Sequence, residues 1–158
     1  MRRTRRHDDG ANLVEFALIM PILALFLFGI VEFGIAFDAK QSINSAAREG
    51  ARTAAIPTNS FSDVDTATRN AYEGLSTDGD ITVTVENSAT SYSAQRVGTS
   101  AATGDAASNP CDDFNSVPAE GTSVVVTAEI GHEITIPFFG VLDRTLKGRG
   151  EFRCERSV

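Results

Sequence analysis

The sequence predicts an α+β protein, in which a long N-terminal transmembrane and stalk helix precedes a small domain with a few antiparallel strands and one short helix. An apolar run of about 22 residues, numbered 16–37, matches the roughly 20 residues that a helix needs to cross a bilayer. Small residues then recur at helical spacing as far as Pro57. Beyond Pro57, short segments alternate apolar and polar residues in the manner of strands.

The charges around the apolar run predict its orientation. The downstream flank opens with Asp38 and Lys40, whereas four arginines precede the run, namely Arg2, Arg3, Arg5 and Arg6. By the positive-inside rule, the N-terminus is cytoplasmic and the C-terminal domain is extracytoplasmic. The predicted location is the plasma (inner) membrane, crossed once. Glu32, the only charged residue inside the run, is interpreted as an interfacial or helix-pairing carboxylate.

A cleaved secretory signal is an alternative interpretation of the same segment. The residues Gly34, Ile35 and Ala36 form a small-x-small triplet that signal peptidase accepts. The apolar run is longer than the 7–15 residues of a signal core, however, and it continues without a break into helical sequence. A membrane anchor is therefore favoured over a secreted form.

Composition limits the classes of function. The net charge is −7, and without the first ten residues it would be −9, with 19 acids and 10 bases. The exported part is therefore acidic, and it has no tryptophan and no basic stripe. Nucleic acid is not an expected partner, because binding to phosphate backbones requires clustered positive charge. Since 158 residues leave only one small domain beyond the anchor, a large enzyme core is not expected either.

The residues GANLVEF, numbered 10–16, carry the main functional signal. A glycine ends a short basic leader, and a lone glutamate follows five positions later at the start of the apolar run. This pattern resembles the prepilin peptidase site of type IV pilins and their relatives. The resemblance implies cleavage between Gly10 and Ala11, with Glu15 as the retained carboxylate and Phe16 next to it. The alternative is that Gly10 and Glu15 are ordinary first-turn residues of an anchor helix.

The spacing of this motif has its own chemical logic. Cleavage after Gly10 would create a cationic amine on Ala11, and Glu15 lies one helical turn further on the same face. A carboxylate at the start of a helix is stabilised by the helix dipole by about 0.3–1 kcal/mol. In a membrane it also needs a partner amine, either its own or that of a neighbouring subunit. Glu15 is therefore predicted to act in assembly.

Pro21 lies inside the apolar helix. Proline removes one backbone donor and leaves the carbonyl of Ala17 without its usual partner, which kinks helices. In pilins, a proline in this region accompanies a bend or local melting of the packed helix, so the resemblance extends to Pro21. A passive kink is the alternative.

The second block of resemblance is DAKQSINSAAREGARTAAI, residues 38–56. Its small residues share one helical face, namely Ala39, Ile43, Ala46, Ala47, Gly50 and Ala54. The helix is predicted to stop at Ile56, because the residue before Pro57 is disfavoured in helical geometry. A helix over residues 11–56 would be roughly 69 Å long and would project as a stalk.

The string AAREGAR after such an anchor resembles TadE-like proteins, which are minor pilins or pseudopilins of Tad (Flp, type IVc) pilus systems. The resemblance covers about the first third of the chain. It implies a role in biogenesis of a pilus used in surface adherence, with prepilin peptidase, other Tad pilins and the assembly platform as partners alongside the lipid bilayer. The alternative function is a membrane-anchored extracellular binding module outside any pilus. Arg48 and Arg52 are interpreted as part of a solvated polar face, and contact with an acidic partner is the alternative.

Three segments follow from these patterns: a prepilin leader (1–10), the transmembrane and stalk helix (11–56) and an extracytoplasmic α+β domain (57–158). Within the domain, the pattern predicts a short helix at 63–72 capped by Ser60 or Ser62, a strand at 81–86 and a Ser/Thr/Ala-rich loop at 87–121. It then predicts a second strand at 122–136 that is broken or bulged at Gly131, one or two helical turns at 138–146, and a final strand at 147–156.

Two cysteines, Cys111 and Cys154, are predicted to form a disulfide, because both lie outside the membrane by the topology argument. The bond would close a loop of about 42 residues and contribute roughly 4 kcal/mol. Neither cysteine has metal-ligand spacing to another Cys or His, and Asp112 with Asp113 matches no EF-hand pattern. The lone His132 of the exported part fits no catalytic motif. No enzyme activity, metal or cofactor is therefore expected.

Overall fold

The computed structural model describes residues 8–73, 81–87, 89–111, 122–136 and 140–155. It contains a 47-residue helix, a short helix and five strands. Their bounds, in chain order, are α1 (Asp8–Ala54), α2 (Phe61–Asn70), β1 (Thr82–Asn87), β2 (Tyr92–Val97), β3 (Thr103–Gly104), β4 (Ser123–Ile136) and β5 (Gly140–Arg153). The predicted α+β fold class, with a long N-terminal helix before antiparallel strands and a short helix, is confirmed.

The helix α1 runs through the apolar segment and into the small-residue block as one element. At 1.5 Å per residue it is about 70 Å long. It ends at Ala54, two residues before the predicted end at Ile56, and it passes through Pro21 without interruption. Helical geometry also includes Asp8 to Gly10, which the sequence assigns to the leader.

The short helix α2 begins with a complete capping box. The Ser60 hydroxyl accepts from the backbone N–H of Asp63, while the Asp63 carboxylate accepts from the backbone N–H of Ser60 at 2.9 Å. The hydroxyl of Ser60 also donates to that carboxylate at 2.7 Å. These bonds from Ser60, the side-chain one first, lower the pKa of Asp63. Of the two candidate caps, Ser60 is therefore the one used, and the helix begins two residues earlier than predicted.

The five strands form one antiparallel sheet in the order β3-β2-β1-β4-β5. Strand β1 lies in the middle and pairs with β2 on one side and β4 on the other. Its valines Val83 and Val85 are fully buried and alternate with more exposed residues, as expected for a strand with one face on a core. The two longest strands, β4 and β5, form a hairpin of 14 paired residues on each side.

The prediction of a loop over residues 87–121 is wrong for two stretches. Residues Tyr92–Val97 form β2, and Thr103–Gly104 pairs with it as β3. Only Tyr92 and Ala94 of β2 are buried, so the segment has few apolar residues from which alternation could be recognised in the sequence. Its strand geometry comes instead from pairing along the whole of β1.

Two further predictions are corrected at the C-terminal end. Strand β4 continues through Gly131 with no break or bulge, because Gly131 stands opposite Thr145 in an unshifted register. The predicted helical turns after Pro137 are absent from the described residues 140–146, which belong to β5. The final strand predicted at residues 147–156 is therefore the second half of a longer strand. The segment is extended because it pairs residue by residue with β4.

The C-terminal half of α1 lies across the sheet on its small-residue face. Ile43, Ala46, Ala47, Ala51 and Ala54 are all completely buried in the core. The approach is closest at β5, where a Cβ placed on Gly148 would lie 2.2 Å from the carbonyl oxygen of Ile43. A Cβ placed on Gly150 would lie 2.3 Å from the carbonyl oxygen of Ala47. Two glycines of β5 thus allow strand backbone to touch helix backbone.

The predicted disulfide between Cys111 and Cys154 is present, with 5.8 Å between the two Cα atoms. It links Cys111, in the segment that follows β3, to Cys154, the residue directly after β5. Beside it, the amide of Asn87 donates to the carbonyl oxygen of Pro110 at 2.8 Å, and the backbone N–H of Glu155 donates to the carbonyl oxygen of Ala55 at 2.8 Å. The C-terminal segment is therefore fixed to the end of α1 as well as to the sheet.

Replacing Cys154 with serine should lower the free energy of unfolding by roughly 4 kcal/mol, because the crosslink restricts a loop of 43 residues in the unfolded chain. Urea unfolding of the full chain in detergent would measure the loss. Wild-type protein treated with reductant should lose the same amount, and without reductant it should migrate faster on a gel than the variant. Ready labelling of native wild-type protein by a thiol reagent would contradict the bond.

Candidate functional site

The N-terminal part of α1 is an apolar helix whose large side chains are mostly exposed. The region Gly10–Ala54 is long and apolar enough to cross a membrane, and none of its most apolar window is buried within the protein. Large apolar side chains are exposed all around the helix, among them Leu13, Phe16, Leu18, Leu23, Phe26, Leu27, Ile30 and Phe33. A helix that is apolar on every side and uncovered fits a lipid environment. This is consistent with a single-pass membrane anchor.

The motif residues lie at the beginning of this exposed helix. No atom lies within 4 Å of the position where a Cβ on Gly10 would be, so the fold itself does not require glycine there. Ala11 and Glu15 are exposed, four residues apart and therefore on the same helical face. Among the described residues, the side chain of Glu15 makes no ion pair or hydrogen bond. Phe16 is 66% exposed.

Two arginines lie on the exposed face of the stalk half of α1. Arg48 and Arg52 are exposed, and Arg52 forms only a loose ion pair with Glu49, at 3.5 Å. Exposed pairs of this kind contribute about 0.2–1 kcal/mol. The arrangement matches the interpretation of a solvated polar face. Further towards the N-terminus, Glu32 is half-buried rather than fully exposed.

Sequence reasoning missed a buried ionic cluster that joins α2 to the sheet. The carboxylate of Asp65, which is 1% exposed, contacts Arg69 at 2.9 Å and Arg96 of β2 at 2.7 Å. The guanidinium of Arg96 also lies 6.0 Å from the ring centre of Phe61. Breaking one partner of such a buried pair is strongly destabilising. The only local signal was the i,i+4 spacing of Asp65 and Arg69, and the contact with Arg96 depends on tertiary structure.

The polar contacts of Tyr92 hold the segment after β3 against β2. Burial, together with the charge of Asp105, raises the pKa of Tyr92 to about 12, and the Tyr92 hydroxyl donates to the carbonyl oxygen of Ser108 at 3.3 Å. Within the described ranges, no group of three or more His, Cys, Asp or Glu side chains is placed to hold a metal ion. His132 lies on β4 with its Nε2 buried and unpaired among these residues.

Several sequence predictions fall outside the described residues. These are the arginines of the leader and the acidic pair Asp112 and Asp113.

These features define a class of protein with two parts. An exposed apolar helix of membrane-spanning length continues onto the sheet of a disulfide-bonded α+β domain. Its apolar half suits a bilayer and its other half is a structural part of the domain. Residues 10–52, which are 43 of the 158 residues, match the family model of TadE-like proteins, so this part of the chain is similar to that family. The match includes the motif at Gly10–Phe16 and the AAREGAR string.

The match ends at residue 52, near the end of α1, so it does not include α2 or the sheet. No curated protein and no solved structure matched the chain. The TadE-like resemblance stated from the sequence is therefore confirmed for the helix.

Proposed function

We propose that this protein is a minor pilin or pseudopilin that takes part in biogenesis of a Tad (Flp, type IVc) pilus used in surface adherence. The observation that supports this function most is the position of GANLVEF at the start of an uncovered apolar helix, within the TadE-like match. In this proposal the chain is inserted by α1 and cleaved by prepilin peptidase between Gly10 and Ala11. It then associates with other Tad pilins and the assembly platform.

The contacts of α1 divide it into two parts with separate roles. From Ala39 onward its small-residue face is buried on the sheet, so this half is committed to the fold of the domain. Most side chains of the preceding apolar half are exposed in the part of the chain that the structure describes, and lipid or neighbouring helices are the environments that suit it. Exchange between these two environments is what a pilin undergoes when it leaves the membrane for a filament.

Glu15 is the residue that we assign to assembly. It has no partner within the described residues, and an unpaired carboxylate in hydrocarbon is unfavourable by up to about 2.5–3.5 kcal/mol. The free amine of a processed Ala11 satisfies it, either in the same chain or in a neighbouring subunit. Pro21 lies a turn and a half further along, where it weakens the backbone hydrogen bonding of the segment.

Replacing Glu15 with glutamine should impair assembly while leaving the protein level and leader removal near wild type. The amide keeps the shape of the side chain but forms a weaker bond with an amine than a carboxylate does. The measurements are co-purification with other Tad pilins and pilus-dependent surface attachment. If Glu15 acts only through the helix dipole, the loss should be under about 1 kcal/mol and assembly should be nearly unaffected.

Gln41→Glu is a useful comparison, because residue 41 is an exposed position of the same helix and the substitution changes charge by one unit outside the apolar run. It should assemble normally. Normal piliation of the Glu15→Gln strain at normal protein levels would remove the assembly role. The membrane-anchored binding module would then be the better description of the protein.

A further inference from the structure

We propose that the tip of the β4–β5 hairpin is a second membrane contact, which inserts apolar side chains into the leaflet that faces the exported domain. The hairpin tip is defined here as Ile134 of β4 with Gly140–Leu142 of β5. The inference rests on the membrane anchor of the proposed function, but not on leader cleavage or pilus assembly. The occupant of the tip is lipid, because the tip lies beside the segment of α1 that itself suits lipid.

The direction of the hairpin is fixed by the contacts between β5 and α1. Gly148 lies against the carbonyl of Ile43, and Gly150 lies against the carbonyl of Ala47. Two strand residues advance about 6.6 Å and four helix residues advance about 6 Å, so the strand and the helix run in the same direction at nearly equal rates. The ammonium of Lys40 donates to the carbonyl oxygen of Lys147, which continues the alignment. Moving back along β5 therefore leads towards the apolar segment of α1.

The same spacing shows how far the tip reaches. Val141 precedes Gly148 by seven residues, which is about 23 Å of strand and equals the rise of about 15 helix residues. Counted back from Ile43, this places Val141 level with Phe28. Even if the twist of the hairpin halved the distance that β5 covers along the axis of α1, Val141 would be level with Ile35. Both positions lie inside the apolar run at residues 16–37.

The chemistry of the tip suits hydrocarbon. Val141 is 60% exposed and Leu142 is 42% exposed, although the backbone of both residues is paired with β4. Ile134 is opposite Leu142 in the register of the two strands. Exposed apolar side chains at this end of the hairpin favour transfer out of water.

A charged band separates the tip from the core. In the register of the hairpin, His132 is opposite Arg144 and Glu133 is opposite Asp143. Two acids directly opposite each other destabilise a sheet, so this band is unfavourable for the fold alone. Asp143 precedes Gly148 by five residues, about 17 Å, which places it level with Glu32 of α1. The band and Glu32 thus lie at one height, as expected for groups at the headgroup level.

Tryptophan fluorescence tests this contact directly, because the chain has no tryptophan of its own. The probe is Val141→Trp in the full chain, reconstituted in phosphatidylcholine vesicles with plain or dibrominated acyl chains. Its emission should fall by roughly half or more in the brominated vesicles, because ring and bromine share the hydrocarbon. The matched control is Phe152→Trp, at a position on the same strand that is as exposed as Leu142 but lies at the far end. Its emission should not change.

A third variant, Phe33→Trp, reports on the anchor itself. If it is quenched and Val141→Trp is not, the second contact is wrong while the anchor of the proposed function stands. If Phe33→Trp is not quenched, the anchor fails and the inference fails with it. Blue-shifted but unquenched emission from Val141→Trp would mean that protein, such as a second copy of the chain, covers the tip, and this too would overturn the inference.

Discussion

Gly10→Val should leave the leader attached and should abolish entry of the protein into a pilus. Prepilin peptidases cut after glycine, and the proposed cut falls between Gly10 and Ala11. In the structure, the site of a Cβ on Gly10 has no neighbour within 4 Å, so valine meets no clash and changes only what an external enzyme would recognise. N-terminal sequencing of protein extracted from membranes would read Met1 for the variant and Ala11 for the wild type.

The matched control is Gly29→Val, since Gly29 lies in the same helix and also has no neighbour within 4 Å of a Cβ. This variant should be processed at Ala11 like the wild type. Finding Met1 on wild-type protein, in cells with an active prepilin peptidase, would remove the basis for assigning a pilin role. Cleavage after Ala36 would instead support the secretory-signal alternative.

Gly148→Ala should destabilise the domain by about 3 kcal/mol or more, because the new methyl group would lie 2.2 Å from the Ile43 carbonyl oxygen and 2.6 Å from its carbon. Both atoms belong to the backbone of α1, which cannot rotate away as a side chain can. The helix and β5 must therefore move apart, and the buried face at Ala47 would lose its contacts. Urea unfolding of the full chain in detergent, followed by the circular dichroism of the sheet, would measure the loss.

Gly131→Ala provides the comparison for that experiment. Gly131 lies on the other strand of the same hairpin, and no atom lies within 4 Å of a Cβ placed there. The alanine should be neutral or slightly stabilising, since glycine weakens the interior of a strand. Equal unfolding free energies for the two alanine variants would show that the helix does not depend on the glycine for its close approach to β5.

Those features that depend on neighbours along the chain were predictable from the sequence. The membrane-type helix follows from 22 apolar residues with one charge, and its continuation follows from small residues that recur every three or four positions. Pro57 limited the end of α1 to within two residues, and Ser60 with Asp63 marked the start of α2. Strands β1 and β4 have clear alternation of apolar and polar residues. The pairing of Cys111 with Cys154 followed because the chain has only two cysteines and both were placed outside the membrane.

Features that depend on pairing across the chain were decided only by the tertiary structure. Strand β2 is polar and is held by β1, while residues 140–146 are extended because β4 offers them a full set of backbone partners. The sequence assigned Gly148 and Gly150 to a final strand, but only the tertiary structure shows that α1 lies against them. The direction of the β4–β5 hairpin along α1 is likewise invisible to periodicity, because a pattern of period two reports which face of a strand is buried but not which element covers it.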